Sequence, residues 1–212
     1  MPQDKKYRIF GVEPSPYSVK VRSYFRYKGI PHQWLVRTQQ RQQEFDRWAR
    51  LPLVPLVVTP DEKAMQDSTP IIETMEGLFP TPPVHPDEPV AAFISALIEE
   101  YGDEWVNKPM FHYRWTYEPN QDWAAGWIAG ETMPEADQEM REQMAAMIKA
   151  RMIPRLSFVG SSPATLEQIE RSYLRLLDIL EAHLKSRPFL FGRRPAFADF
   201  GLAPQLYQCL SD

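Results

Sequence analysis

FPTPPVHPDEPV, residues 79–90, decides how the chain is read. Five prolines fall in this stretch. Such a run builds neither a helix nor a central strand and acts as a stiff, extended connector. It divides the sequence into residues 1–79, an 80–89 linker, and residues 90–212. Upstream, the pattern alternates between strand and helix. Tyr7 to Phe10 reads as a strand ended by Gly11, and Ser15-Pro16 opens a helix, Ser at the N-cap and Pro at the first position. Tyr17, Val21, Tyr24 and Phe25 form its apolar face, and Gly29 stops it. Gln33 to Val36 then reads as a second strand, giving a right-handed β-α-β unit. A polar Gln/Arg-rich segment follows. Leu53 to Val58 and Ala64 to Gln66 are the third and fourth strands, with TPDEK (59–63) as the turn between them. Ser68 caps a helix over 69–78.

Downstream no strand pattern occurs. Residues 90–117 and 134–152 read as helical. The stretch 162–186 reads as a helix with Ser162 as cap, Pro163 first, and Leu166, Ile169, Tyr173, Leu176, Leu177, Leu180 and Leu184 as its buried stripe. A last helix starts near Phe197. The expected fold class is therefore α/β followed by all-α. The order β-α-β, β-β-α in the first 80 or so residues is that of a thioredoxin-like domain.

Composition narrows the function. The net charge of −4, with no Lys/Arg run, argues against a nucleic-acid partner. No apolar run approaches the ~20 residues that span a bilayer, and the N-terminus lacks the apolar stretch of a secretory signal. A single cysteine, Cys209, excludes an intramolecular disulfide, a CxxC pair and a Cys-rich metal site. The expected compartment is the cytoplasm. Neither metal-ligand spacing nor a Gly-rich phosphate loop appears in the sequence, and four scattered histidines make no zinc site, so no metal is expected.

Four motifs then carry a resemblance. SPYSVKVR (15–22) is similar to the S-x-x-S-x-x-V-R start of zeta-class glutathione transferases, the S-P-F of tau and the C-P-F/Y of omega. Leu53-Val54-Pro55-Leu56 is similar to the family's V-P-x-L strand, whose proline is cis. Asp67-Ser68 resembles the acidic-Ser pair that opens the third helix. FLFGRRPAFADF (189–200) resembles the C-terminal F-x-x-G-x-x-P-S-x-A-D signature, with Ala196 where Ser or Thr is usual. Losing that cap costs about 1 kcal/mol, which leaves the orphan amides to Asp199. The chain also ends soon after this helix begins, where the family continues through more helices.

The resemblance implies the glutathione transferase fold: a thioredoxin-like domain binding glutathione as co-substrate, a helical domain facing an apolar electrophile, detoxification chemistry and a homodimer. A free thiol of pKa ~8.5 is only about 3% ionised at pH 7. Lowering it by about two units requires roughly 2.7 kcal/mol of thiolate stabilisation. A hydroxyl donor supplies about 1.5–3 kcal/mol and a helix N-terminus about 0.3–1. Ser15 is placed for both, as catalytic residue; read locally, it is equally a plain helix cap. Having Ser rather than Cys there argues against mixed-disulfide chemistry, and with no cysteine in the first domain a thiol-disulfide oxidoreductase fails.

The other assignments follow from the resemblance. Tyr17 joins the glutathione site. Val54 offers its backbone amide and carbonyl to the cysteinyl unit beside Pro55, the alternative being an edge-strand proline. Asp67 pairs with the γ-glutamyl ammonium and Ser68 holds the carboxylate, unless this is only a helix start. Arg41 is the cation for the glycyl carboxylate by its distance from Pro55, with Gln40 and Arg37 as substitutes, or it is a solvated arginine. Tyr101, Trp105 and His112 share a helical face for the hydrophobic substrate pocket within a cluster that otherwise reads as core. His112 and Arg114 are candidates for proton transfer or leaving-group charge. A fold that has lost catalysis and only binds ligands is the rival reading.

Overall fold

The computed structural model describes residues 6–211. Four strands form one mixed sheet: β1 (Tyr7–Gly11), β2 (His32–Val36), β3 (Leu56–Val58) and β4 (Ala64–Gln66), in the order β2-β1-β3-β4. β1 runs parallel to β2 with Ile9 opposite Trp34, and antiparallel to β3 with Ile9 opposite Val57. α1 (Pro16–Tyr27), α2 (Gln42–Trp48) and α3 (Ser68–Leu78) complete this half.

Alternation along β1 assigns the two faces. Ile9 and Val57 bury against Val21, Tyr24 and Phe25 of α1 and Ile71, Ile72 and Met75 of α3. Phe10, Leu56 and Val58 bury on the other face against Leu35 and Phe45. Phe45 lies on α2, the helix formed by the Gln/Arg-rich segment that shows no helical stripe in the sequence. Gly11 is required by close approach, because a Cβ there would stand 2.3 Å from the Trp34 ring.

Several boundaries differ from expectation. β3 starts at Leu56 instead of Leu53, which is 60% exposed in the loop before the sheet. α3 begins at Ser68 with Asp67 in the cap position, not Ser68. The 90–117 stretch is three elements: α4 (Pro89–Glu100), a π-helical turn (Tyr101–Val106) and α5 (Asn107–Thr116). α6 (Glu118–Thr132) follows directly, Tyr117 stepping out of helical geometry at ψ 131°.

α7 (Gln138–Met152) leads through a 3₁₀ turn to α8 (Leu166–Leu184), whose cap position is Thr165. Ser162 and Thr165 exchange a hydroxyl hydrogen bond in the turn before it. Of the α8 stripe only Tyr173 is fully buried. α9 (Phe197–Ser211) closes the fold. Asp199 accepts from the Ala196 and Leu190 amides at 2.8 and 3.0 Å, but not alone: Ser95 of α4 accepts from the Ala198 amide at 3.1 Å.

Residues 79–88 carry no regular element, yet they are pinned. Val84 is buried, its amide donates to Glu76 and its carbonyl accepts from the Phe197 amide. Lys28 donates to the Pro82 carbonyl at 2.6 Å. Phe197 and Phe200 of α9 pack into the same cluster as Ile9, Val21 and Phe25.

Candidate functional site

A groove of about 810 Å³ opens where the sheet's edge meets the helical half. Its floor is the β3 approach. Gln66, the last residue of β4, holds the loop before β3 in place: its Oε1 accepts from the Arg50 and Leu51 amides, and its Nε2 donates to the Leu51 and Leu53 carbonyls at 2.9 Å each. This fixes Val54 and Pro55, joined by a cis peptide, at the groove wall. The Val54 backbone makes no hydrogen bond with another described residue.

Beside Val54 the chain turns into α3 through Asp67, exposed and held at φ 78°. Such a left-handed conformation costs a non-glycine residue of order 1–3 kcal/mol and persists only where the surroundings impose it. The Asp67 carboxylate makes no cap bond, so the first amides of α3 open toward the groove. The Ser68 hydroxyl turns inward and donates to Asp103 Oδ2 at 3.2 Å. Only its backbone is left to meet a ligand.

Asp103, on the π-helical turn, connects the groove to a buried charge cluster. Lys20 of α1 is 1% exposed and donates to Asp103 at 2.5 Å, to Thr69 at 2.9 Å and to Glu99. Burial pushes the Asp103 carboxyl above the usual carboxylate range, outweighing Lys20 beside it, and its Oδ1 has no hydrogen-bond partner among the described residues. Tyr17, also in the groove wall, donates to the Asp103 carbonyl at 2.9 Å. Burial, followed by the charges of Asp103 and Glu104, pushes its phenol far up, so it stays protonated.

Of the residues selected from sequence, Tyr17, Val54, Pro55, Asp67 and Ser68 thus line one groove. Ser15 stands at the mouth of α1, half-buried and outside the groove's lining residues. Its Oγ accepts from the Ser18 amide at 3.2 Å, and its own proton has no acceptor among the described residues. Arg41 lies away from the groove, 3.6 Å from Glu44 and largely exposed. Arg50 takes its place as the cation in the groove wall. Sequence reasoning missed it because nothing local distinguishes Arg50 from a solvated arginine; the Gln66 staple that places it is a tertiary contact.

Tyr101, Trp105 and His112 do not converge. Tyr101 lines a separate apolar cavity of about 440 Å³ between α4, α8 and α9. Trp105 is 57% exposed beneath the Lys108 ammonium. His112 is fully enclosed, bonded to Ser161 at 2.7 Å with Glu170 at 3.4 Å from its other nitrogen. Among the described residues no group of three or more His, Cys, Asp or Glu is arranged to hold a metal ion, and no helix is long and apolar enough to cross a membrane.

Two family models match the chain: the glutathione S-transferase N-terminal domain over residues 9–83 and the glutathione S-transferase C-terminal domain over residues 163–210. A search of curated protein sequences finds no match. Among solved structures, the β-etherase LigF from Sphingobium sp. strain SYK-6 is similar at TM-score 0.64 and 18% identity, over 92% of this chain and 80% of that one. A glutathione transferase family member from Pseudomonas fluorescens, solved with two glutathione bound, aligns at TM-score 0.59 and 16% identity over 99% and 79%. The tau-class enzyme of mango gives 0.55 and 16% over 95% and 74%. At such identities the likeness is one of fold. With both family models matching in chain order and the same architecture running through nearly the whole length, the chain belongs to the glutathione transferase family.

Proposed function

We propose that the groove binds glutathione and that the protein is a glutathione transferase in which the Ser15 hydroxyl stabilises the thiolate for attack on an apolar, aromatic electrophile. The observation that carries this reading is the convergence of Tyr17, Val54, Pro55, Asp67 and Ser68 on one groove. The unbonded Val54 backbone offers strand-like pairing to the cysteinyl unit. The α3 N-terminus suits the γ-glutamyl carboxylate, Asp67 its ammonium, and Arg50 the glycyl carboxylate. Because Ser15 Oγ accepts from Ser18, its proton is left to donate to sulfur.

Retention on immobilised glutathione, followed by thiol transfer to a chromogenic aryl halide, tests the reading. Ser15→Ala should keep most glutathione affinity and lower turnover about 10- to 100-fold, the value of one charge-assisted hydrogen bond. Unchanged turnover would remove Ser15 from the role.

A second reading, a binding protein without turnover, draws support from Trp105 and His112 standing clear of the groove. Binding without transfer to any of several electrophiles would favour it. The reading includes a cytoplasmic homodimer with a detoxifying role. Val90, Phe93 and Leu97 leave an apolar stripe exposed along α4, supporting a dimer face; a monomer by light scattering would count against it.

A further inference from the structure

The loop that carries Ser15 is held from the helical half as well as by its own turn, in which the Ser15 amide donates to the Val12 carbonyl at 3.2 Å. Glu13 donates its backbone amide to both carboxylate oxygens of Glu131 on α6, at 3.0 and 2.8 Å. The Glu13 carbonyl accepts from Gln208 Nε2 of α9 at 2.8 Å. The Pro14 carbonyl accepts from Arg114 of α5 at 2.8 Å, and Arg114 in turn donates to Gln208 Oε1 at 2.5 Å. Three helices thus grip two consecutive residues immediately before Ser15. The Glu13 side chain is held from its own half, by Arg22 of α1.

These are not surface contacts. Arg114 and Gln208 are 5% and 0% exposed. Burial pushes the Glu131 carboxyl above its usual range, so it is placed there against a desolvation cost. Peptide groups are planar and their positions propagate: the Pro14 carbonyl belongs to the same peptide plane as the Ser15 amide. With Ser15 at φ −101°, the orientation of that plane sets the Cα–Cβ direction, and χ1 then aims the hydroxyl among its rotamers.

We propose that Arg114, Gln208 and Glu131 are positioning residues for Ser15, setting from the helical half the direction in which its hydroxyl points. The proposal rests on the thiolate-stabilising role given to Ser15 above. It replaces the direct chemical role that the sequence offered for Arg114: a guanidinium spent on a loop carbonyl and a buried amide acts through the loop. Displacing a reacting group by about 1 Å costs up to 10²-fold in rate, so a grip of this kind is felt in turnover before it is felt in binding.

The experiment titrates the thiol of glutathione bound to the whole protein, following thiolate absorbance in the ultraviolet, which requires no electrophile. Ser15→Ala should raise the bound thiol's pKa by about 1–2 units. Arg114→Met, which keeps the packing and removes the donors, should raise it by about half as much. Its glutathione KM should stay within about twofold while kcat falls about tenfold. Arg114→Lys should recover part of the loss, since one donor still reaches the Pro14 carbonyl.

The decisive arm is the double variant. Adding Arg114→Met to Ser15→Ala should raise the pKa no further, because the positioned group is gone. An additive rise, or an Arg114→Met protein that titrates like the parent, overturns the proposal. Should Arg114→Met fail to fold, Glu131→Met, which removes both acceptors of the Glu13 amide from a different helix, must raise the pKa in the same direction with the same lack of additivity, or the proposal falls. A Ser15→Ala protein with an unshifted thiol would instead sink the underlying reading of Ser15, and the two failures are told apart by that single variant.

Discussion

Lys20 offers the sharpest test of how the two halves are held together. Its ammonium is 1% exposed and faces two carboxylates, Glu99 and Asp103, that are themselves buried. Replacing it with methionine keeps the stem's volume and deletes the charge. Removing one partner from a buried ion pair costs about 3–5 kcal/mol, because the remaining charge has lost both water and its counter-ion. With a urea dependence of about 2–3 kcal/mol per molar for a chain of this size, the unfolding midpoint should fall by about 1–2.5 M at pH 7.5.

The deficit should also depend on pH in a definite direction. Burial already holds Asp103 above the ordinary carboxylate range, and losing Lys20 moves it further up. A group whose folded-state value is raised stabilises fully below its unfolded value and loses that contribution as pH rises through the folded one. The Lys20→Met deficit should therefore shrink at pH 5 and widen toward pH 8. Tryptophan fluorescence in urea at both pH values measures it. A midpoint shift below about 0.4 M at pH 7.5, or an identical deficit at both pH values, would refute the reasoning.

On the proposed assignment of Arg50, a lining residue of the groove, to the glycyl carboxylate, Arg50→Ala should weaken glutathione binding about 5- to 20-fold with little change in kcat; Arg41→Ala should bind normally, and calorimetry separates the two. Asp199→Ala leaves the Ala196 and Leu190 amides without their acceptor, at about 2–4 kcal/mol, lowering Tm by about 5–15 °C in scanning calorimetry. Gly102→Ala would drive a Cβ to 2.7 Å from the Gly201 carbonyl carbon, backbone against backbone, for a loss of at least about 2–3 kcal/mol. Its control is Gly77→Ala in α3, where nothing lies within 4 Å, expected to gain about 0.5–1 kcal/mol in chemical denaturation.

What could be read from sequence was what local chemistry enforces. Ser15-Pro16 and Gly29 bracket α1 because a cap and a stop act on their own neighbours. Val54-Pro55 and Asp67-Ser68 were legible as motifs, and the groove brings them together. α2 was not legible: its single buried residue, Phe45, gives no period, and it forms because the second sheet face has to be covered. The α8 stripe was over-read, since apolar residues at helical spacing need not all meet a partner.

The buried Lys20 cluster escaped notice for a related reason. A lysine in α1 and an acidic pair four apart read as solvated until tertiary structure faces them. Arg50 and the grip on Glu13 and Pro14 depend likewise on residues distant in sequence, Gln66 for one and Arg114, Glu131 and Gln208 for the other.

The proline-rich stretch marks where the sequence changes character, but it is not where cooperativity stops. Phe197 and Phe200 of α9 join the core cluster of the first half, Phe200 against Tyr24 and Tyr27 of α1, and Val84 and Pro82 bind the connector to both sides. A fragment ending at Glu88 would bare that apolar surface and strand the ammonium of Lys20, with neither Glu99 nor Asp103 to meet it. The two halves should consequently melt as one transition in scanning calorimetry, and damage to α9, at the far end of the sequence, should be felt in the strands where the chain begins.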